Sequence, residues 1–207
     1  MELIGFPDSV FTRAARMGLY VQGREHAFTA IDPFTEEGRR SLSVHTPFGR
    51  VPVYIDGAFI CYESPAILRA IDDDTLFPQG QRGARVLQVT SIVQSDVYRP
   101  LVRQVFAHGF YRPQHGASAD RSEVRAGLKA ASLALGALEG IAAEGLVLNT
   151  ERMTAADCLL APMIAAFAEV PEGEEELRGY PKLSDWYAWI SLQAPFARTT
   201  PPWAGDT

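Results

Sequence analysis

The chain has 207 residues, 47% of them hydrophobic, with 25 acidic against 19 basic side chains and a formal net charge of -6. That length and apolar content suffice for one large domain or two small ones built on real cores without disulfide or metal staples. The acidic balance and the lack of any basic block argue against a nucleic-acid or anionic-membrane partner.

The longest apolar run, Cys158 to Ala168, is too short to span a bilayer and contains Pro162, and the first residues lack a basic-then-apolar leader. The expectation is a soluble, cytoplasmic protein. Cys61 and Cys158 stand at no metal-ligand or redox spacing, which leaves them as small core residues.

In chain order, Glu2 to Phe6 is a short strand. Val10, Ala14, Met17 and Val21 then mark one face of a helix by their spacing. His26 to Ile31 is a second strand, parallel to the first because the crossover between them is long. A loosely defined helix follows around Thr35 to Val44. Val53–Ile55 and Ala58–Cys61 flank Asp56-Gly57, a dipeptide that favours the tight turn of a hairpin. Ser64 is expected to cap a last helix that carries Pro65 in its first turn and Ala66, Ile67, Ala70 and Ile71 on its apolar face. This order is thioredoxin-like.

Three places in this half carry chemistry. Ser9 sits where the first strand becomes the first helix. There a hydroxyl caps the helix, as Asp8 could equally, and can also donate to an anion at the positive helix end. Val51-Pro52 precedes a strand; the proline either opens that strand in an ordinary trans bond or is cis, which would turn the backbone of Val51 outward toward an extended peptide. Glu63-Ser64 combines a carboxylate able to hold an ammonium with a helix start able to hold a carboxylate, although a plain cap beside a solvated acid has the same sequence.

Asp72 to Gly83 is rich in acid, Gly and Pro and reads as a linker. The boundaries are thus residues 1–72 for an α/β thioredoxin-like domain, 73–82 for the linker and 83–207 for an all-α C-terminal bundle. Val86, Val89, Val93, Val97, Leu101 and Val105 give a long helix from Ala84 to Phe110 that Pro100 should kink. On its way Tyr98, Phe106 and Phe110 line an apolar pocket or join the core.

Val124, Leu128, Ala131, Leu135, Leu138 and Ala142 predict a second long helix. Thr154-Ala-Ala-Asp157 is a capping box for a buried helix. Leu183, Trp186, Ile190 and Ala194 predict a further buried face. The tail after Thr199 is irregular, with Trp203 folded back over the cleft.

The run PFGRVPVYIDGAFICYESPAIL resembles the glutathione-binding half of the cytosolic glutathione transferase superfamily, where N-P-F-G-(K/Q)-V-P, a hairpin, E-S and A-I-L recur. The segment GFPDSVFTRAAR resembles the catalytic loop of its serine-type, phi-like members, and the Thr154 box and YPKLSDWYAWISLQAPF extend the similarity over nearly the whole chain. The resemblance implies glutathione as cosubstrate, held by Arg50, Val51, Pro52, Glu63 and Ser64, with no metal. It implies that Ser9 stabilises the thiolate, that Phe11, Tyr98 and Phe106 face a small hydrophobic electrophile, and that Phe48 locks a two-fold homodimer. Detoxification would be the biological role.

Four departures stand out. Asp8 occupies a position that is more often apolar. Glu37-Gly38 stand where a His-Lys pair meets the glycine carboxylate of glutathione, with Arg39 and Arg40 nearby. Arg50 replaces Lys or Gln, and Thr46 replaces Asn. The same scaffold also serves specialised glutathione-dependent peroxidases, isomerases and ether-cleaving enzymes, or non-catalytic binding modules.

Overall fold

The computed structural model describes residues 1–204. Gly205 to Thr207, the end of the tail expected to be irregular, lie outside the described residues.

Strand β1 (Glu2–Gly5), helix α1 (Val10–Val21) and strand β2 (Ala27–Ala30) form the opening unit, with Leu3 opposite Phe28 in a parallel pair. Helix α2 (Glu36–Ser43) starts at Thr35, whose hydroxyl accepts the Gly38 N–H at 3.0 Å. Strands β3 (Val53–Asp56) and β4 (Phe59–Tyr62) are joined through Gly57 at φ +59°, a left-handed turn residue that costs glycine nothing. The sheet order is β2-β1-β3-β4, with Ile4 opposite Val53 in the antiparallel β1–β3 pair.

Alternation along the strands gives the sheet two packed faces. Leu3 and Tyr54 point to the main core with α1 and helix α3 (Ser64–Ala70), while Ile4 and Val53 meet Leu42 of α2 on the other side. On α3 the buried residues are Ile67, Leu68 and Ile71; the expected Ala66 and Ala70 are exposed, since the helix is rotated to seat its larger side chains.

Helix α4 (Gly80–Ile92) begins inside the stretch read as linker and runs into a π-helical segment (Val93–Tyr111), followed by the turn α5 (Arg112–Gln114). Pro100 lies within the π-helical segment. A proline has no N–H for the i→i−4 ladder, and a wider helical turn accommodates that loss without a break. All six residues of the predicted apolar stripe, Val86 to Val105, are fully buried.

Helix α6 (Arg121–Ala143) buries Val124, Ala131, Leu135, Leu138 and Ala142 along the π-helical segment, with Leu128 half-buried. It is also long and apolar enough by composition to cross a membrane. Helix α7 (Ala155–Ala168) is buried almost all round and packs against α1. Helices α8 (Pro171–Arg178), α9 (Pro181–Ser191) and α10 (Ala194–Ala197) and a 3-10 turn (Pro202–Ala204) follow to the end of the described residues. Ala194 is exposed, contrary to its place in the predicted stripe. Helix α9 ends at Ser191 and the chain turns before Pro195, so the periodicity does not carry across.

The Asp157 carboxylate accepts the Thr154 N–H at 2.7 Å, closing the predicted box. Its other oxygen accepts the Trp186 indole N–H at 2.7 Å, which ties α9 to the start of α7.

Candidate active site

The turn between β1 and α1 is pinned from inside. Thr12 is buried, its hydroxyl accepts the Phe6 N–H at 3.2 Å, and a Cβ on Gly5 would stand 2.3 Å from its methyl group. Ser9 follows as the N-cap of α1 and accepts the Thr12 N–H at 3.3 Å. Accepting that bond uses a lone pair and leaves the hydroxyl proton to donate. Cap and donor are compatible roles for one oxygen.

The Val51–Pro52 bond is cis. Val51 makes no backbone hydrogen bond among the described residues, and β3 begins two residues later. Glu63, not Ser64, is the residue that precedes α3, because the backbone turns at Glu63 with φ 69° and Ser64 is already helical. The Ser64 hydroxyl donates to the Phe11 carbonyl at 3.3 Å. A non-glycine residue at such a φ is uncommon, and backbone strain of this kind concentrates at binding sites.

Two adjoining cavities open between the sheet half and the helical half, sharing Phe11, Arg50, Val51 and Tyr98. The larger, of about 510 Å³, is lined by Ser9 and Asp8 on one side and by Tyr98, Phe106 and Tyr111 on the other. The smaller, of about 180 Å³, is lined by Pro52, Glu63, Ser64, Thr46 and Gln94. Ser9, Arg50, Val51, Pro52, Glu63, Ser64, Phe11, Tyr98 and Phe106 therefore each border one cavity or the other, while Phe110 borders neither and packs behind Phe106. Phe48 also borders neither; it is 57% exposed and lies edge-on to Tyr62 at 5.9 Å.

Two polar pairs border the cleft. Arg50 donates to Glu63 at 2.8 Å, both side chains being exposed. Tyr111 donates to Asp8 Oδ2 at 2.8 Å; burial and then that bond push the phenol pKa well above its ordinary value. Arg39 donates to the Phe34 carbonyl and Arg40 pairs with Glu36, so neither lines the cavities. Gly38 is tied to its place, since a Cβ there would meet the Asp32 carbonyl oxygen at 1.9 Å.

The apolar lining is built from contacts across the two halves. Phe11 packs on Tyr98 at 4.7 Å, and Phe106 stacks on Phe110 at 5.6 Å and meets Trp203 at 4.8 Å. Trp203 thus folds back onto Phe106 and the Asp8 turn, behind the cavity wall, and lines neither cavity. Pro33, Phe34, Val102, Arg103 and Tyr111 also line the larger cavity and were not singled out from sequence. Pro33-Phe34, directly after a strand, is a loop signal that could have drawn notice; Tyr111 carries none.

Among the described residues no group of three or more His, Cys, Asp or Glu is gathered. The arrangement can hold an extended polar ligand along Val51, present a hydroxyl to an anionic atom at Ser9, and keep an apolar molecule beside it.

Comparisons with known proteins find similarity in both halves of the chain. Residues 3–75 match the family model described as the glutathione S-transferase N-terminal domain, and residues 121–188 match that of the C-terminal domain. The chain is 22% identical over 198 residues to glutathione S-transferase F7 of Arabidopsis thaliana, covering 92% of this chain and 94% of that protein. Among solved structures, glutathione transferase F2 from Populus trichocarpa superposes with a TM-score of 0.83 at 17% identity, over 96% of each chain. Holo maleyl pyruvate isomerase, described as a bacterial zeta-class glutathione S-transferase, superposes with a TM-score of 0.76 at 24% identity over 100% of each.

Proposed function

The chain belongs to the glutathione S-transferase family through both its halves, and on that premise we propose that it is a serine-type, phi-like member that conjugates the thiolate of bound glutathione to small hydrophobic electrophiles. The observation that carries this reading is the position of Ser9, an N-cap with a hydroxyl proton to give, on the same cavity wall as Val51. Glutathione would lie extended with its backbone against Val51, its γ-glutamyl carboxylate at Ser64 and its ammonium at Glu63, which now pairs with Arg50.

Lowering a thiol by two units from about 8.5 requires roughly 2.7 kcal/mol in favour of the thiolate. One charge-assisted hydrogen bond of about 1.5 to 3 kcal/mol and a helix-end contribution of about 0.3 to 1 kcal/mol reach that figure. The thiol proton leaves to solvent. The sulfur then forms its bond to the electrophilic carbon as a leaving group departs, or as an adjacent unsaturated carbon takes a proton from water. Ser9 acts as a hydrogen-bond donor throughout, not as a nucleophile.

Replacing Ser9 by Ala tests the reading. Turnover should fall at least tenfold, about 1.4 kcal/mol or more, while glutathione affinity is retained. Absence of turnover in both proteins across several electrophiles would favour a non-catalytic glutathione-binding module, the reading suggested by Asp8 and by the displaced Arg39 and Arg40.

A two-fold homodimer is part of the proposal. Phe48 is exposed, and an open groove of about 580 Å³ between the Ile92–Gln104 stretch and α6 offers Pro100, Ala130, Ala134 and the 84% exposed Leu133 to receive it from a second copy. Sedimentation of the wild type should give a dimer and of Phe48→Ala a shift toward monomer. A monomeric wild type would remove this part of the proposal.

A further inference from the structure

Asp8 stands directly before Ser9 and lines the same cavity. It is gripped at both ends by the helical half. Its carboxylate accepts the Tyr111 hydroxyl across 103 residues, and its carbonyl oxygen accepts the Trp203 indole N–H at 3.2 Å. No hydrogen bond joins Asp8 to Ser9, whose oxygen pairs with the Thr12 N–H instead.

An Asp8 carboxylate that swung onto Ser9 would accept the proton that the sulfur needs. It would also bring a negative charge toward a thiolate, which raises the thiol pKa. We infer that Tyr111 is a positioning residue: its hydroxyl holds the Asp8 carboxylate against the helical wall of the cavity, and so sets how readily the thiol bound at Ser9 ionises. This rests on the reading that the cavity binds glutathione.

Tyr111 is suited to the task. Burial and the bond to Asp8 both keep the phenol protonated through the neutral range, so it remains a donor wherever the reaction runs. The remaining charged or titratable groups that face the cavity are Arg50, Arg103 and Tyr98, and Asp32 acts on Tyr111 from the loop before α2. Arg50 is engaged by Glu63, and Arg103 forms no ion pair among the described residues. Neither holds Asp8.

The pKa of the bound thiol, followed by thiolate absorbance at saturating glutathione, tests this without any need for turnover. It is measured in the wild type, Tyr111→Phe, Asp8→Asn and the double variant. Tyr111→Phe should raise the bound-thiol pKa by about half a unit to one unit, and Asp8→Asn should lower it by a similar amount. In the Asp8→Asn background, Tyr111→Phe should have no further effect, an outcome that a merely structural role would not produce. An unchanged pKa in Tyr111→Phe, or a shift of equal size in both backgrounds, overturns the inference alone. A wild type with no saturable glutathione signal overturns the binding reading and this inference with it.

Discussion

The indole N–H of Trp203 donates to the Asp8 carbonyl at 3.2 Å, across 195 residues, so the end of the described chain closes onto the turn that carries Ser9. Trp203 is only 8% exposed and its ring rests on Phe106. Trp203→Phe should keep the packing and cost about 1 kcal/mol for the lost bond. Trp203→Ala should cost about 3 kcal/mol and leave a void beside Phe106. Denaturant midpoints check both. The ring backs Phe106 in the cavity wall, so Trp203→Ala should raise the KM for an apolar electrophile and leave that for glutathione unmoved; equal rises in both would show a general loosening.

Glu63 holds a left-handed backbone at φ 69°, at a cost of about 1 to 3 kcal/mol for a residue of its kind. Its ion pair with Arg50 is exposed and returns little. Glu63→Gly should therefore be as stable as the wild type or more so, after about 0.5 to 1 kcal/mol of extra unfolded-chain entropy is set against the relieved strain. Glutathione affinity should fall at least tenfold. Glu63→Gln should lose affinity without gaining stability. A glycine variant that melts well below the wild type would show that no strain is stored there.

Asp157 is completely buried, and burial raises its carboxyl pKa despite hydrogen bonds from Thr154 and Trp186 that favour the charged form. A carboxyl whose folded pKa exceeds its unfolded value contributes stability below the unfolded value, and loses that contribution as pH rises through the folded one. The group should thus make the protein less stable as pH climbs above about 4. Asp157→Asn should abolish that part of the slope while leaving either the Thr154 N–H or the Trp186 indole N–H without its acceptor, since an amide has one oxygen for the two donors, at a cost of about 1 to 3 kcal/mol. Urea midpoints across the acid range measure both. Identical slopes in the two proteins would count against a raised pKa.

The devices legible in the sequence are those written within a few residues: the Asp56-Gly57 hairpin, the Thr154 box and the stripes from Val86 and Val124. Their geometry is local, so spacing and turn chemistry suffice. Ser64 was misplaced as a cap because a positive φ at Glu63 leaves no mark on residue type. Tyr111 and Phe34 reach the cavity only through tertiary packing; Tyr111 meets Asp8 from 103 residues away. Ala194 fell out of its predicted stripe because α9 had already ended, and a periodic count does not sense where a helix stops.

Arg13 is buried inside α1, donates to the Phe196 carbonyl at 3.2 Å and lies 3.9 Å from the centre of the Phe196 ring. Its guanidinium pKa is pulled down to about 10 by desolvation. A cation so placed has its acceptors only once residues near 196 are present, and the apolar face of α1 likewise waits for α7. During vectorial synthesis the sheet half thus emerges first with α1 packed on the sheet and α3 but bare on the face that meets α7, and the ribosome must release nearly the entire polypeptide before Arg13 finds its acceptors. The end of the molecule that carries Ser9 is translated earliest and finished last.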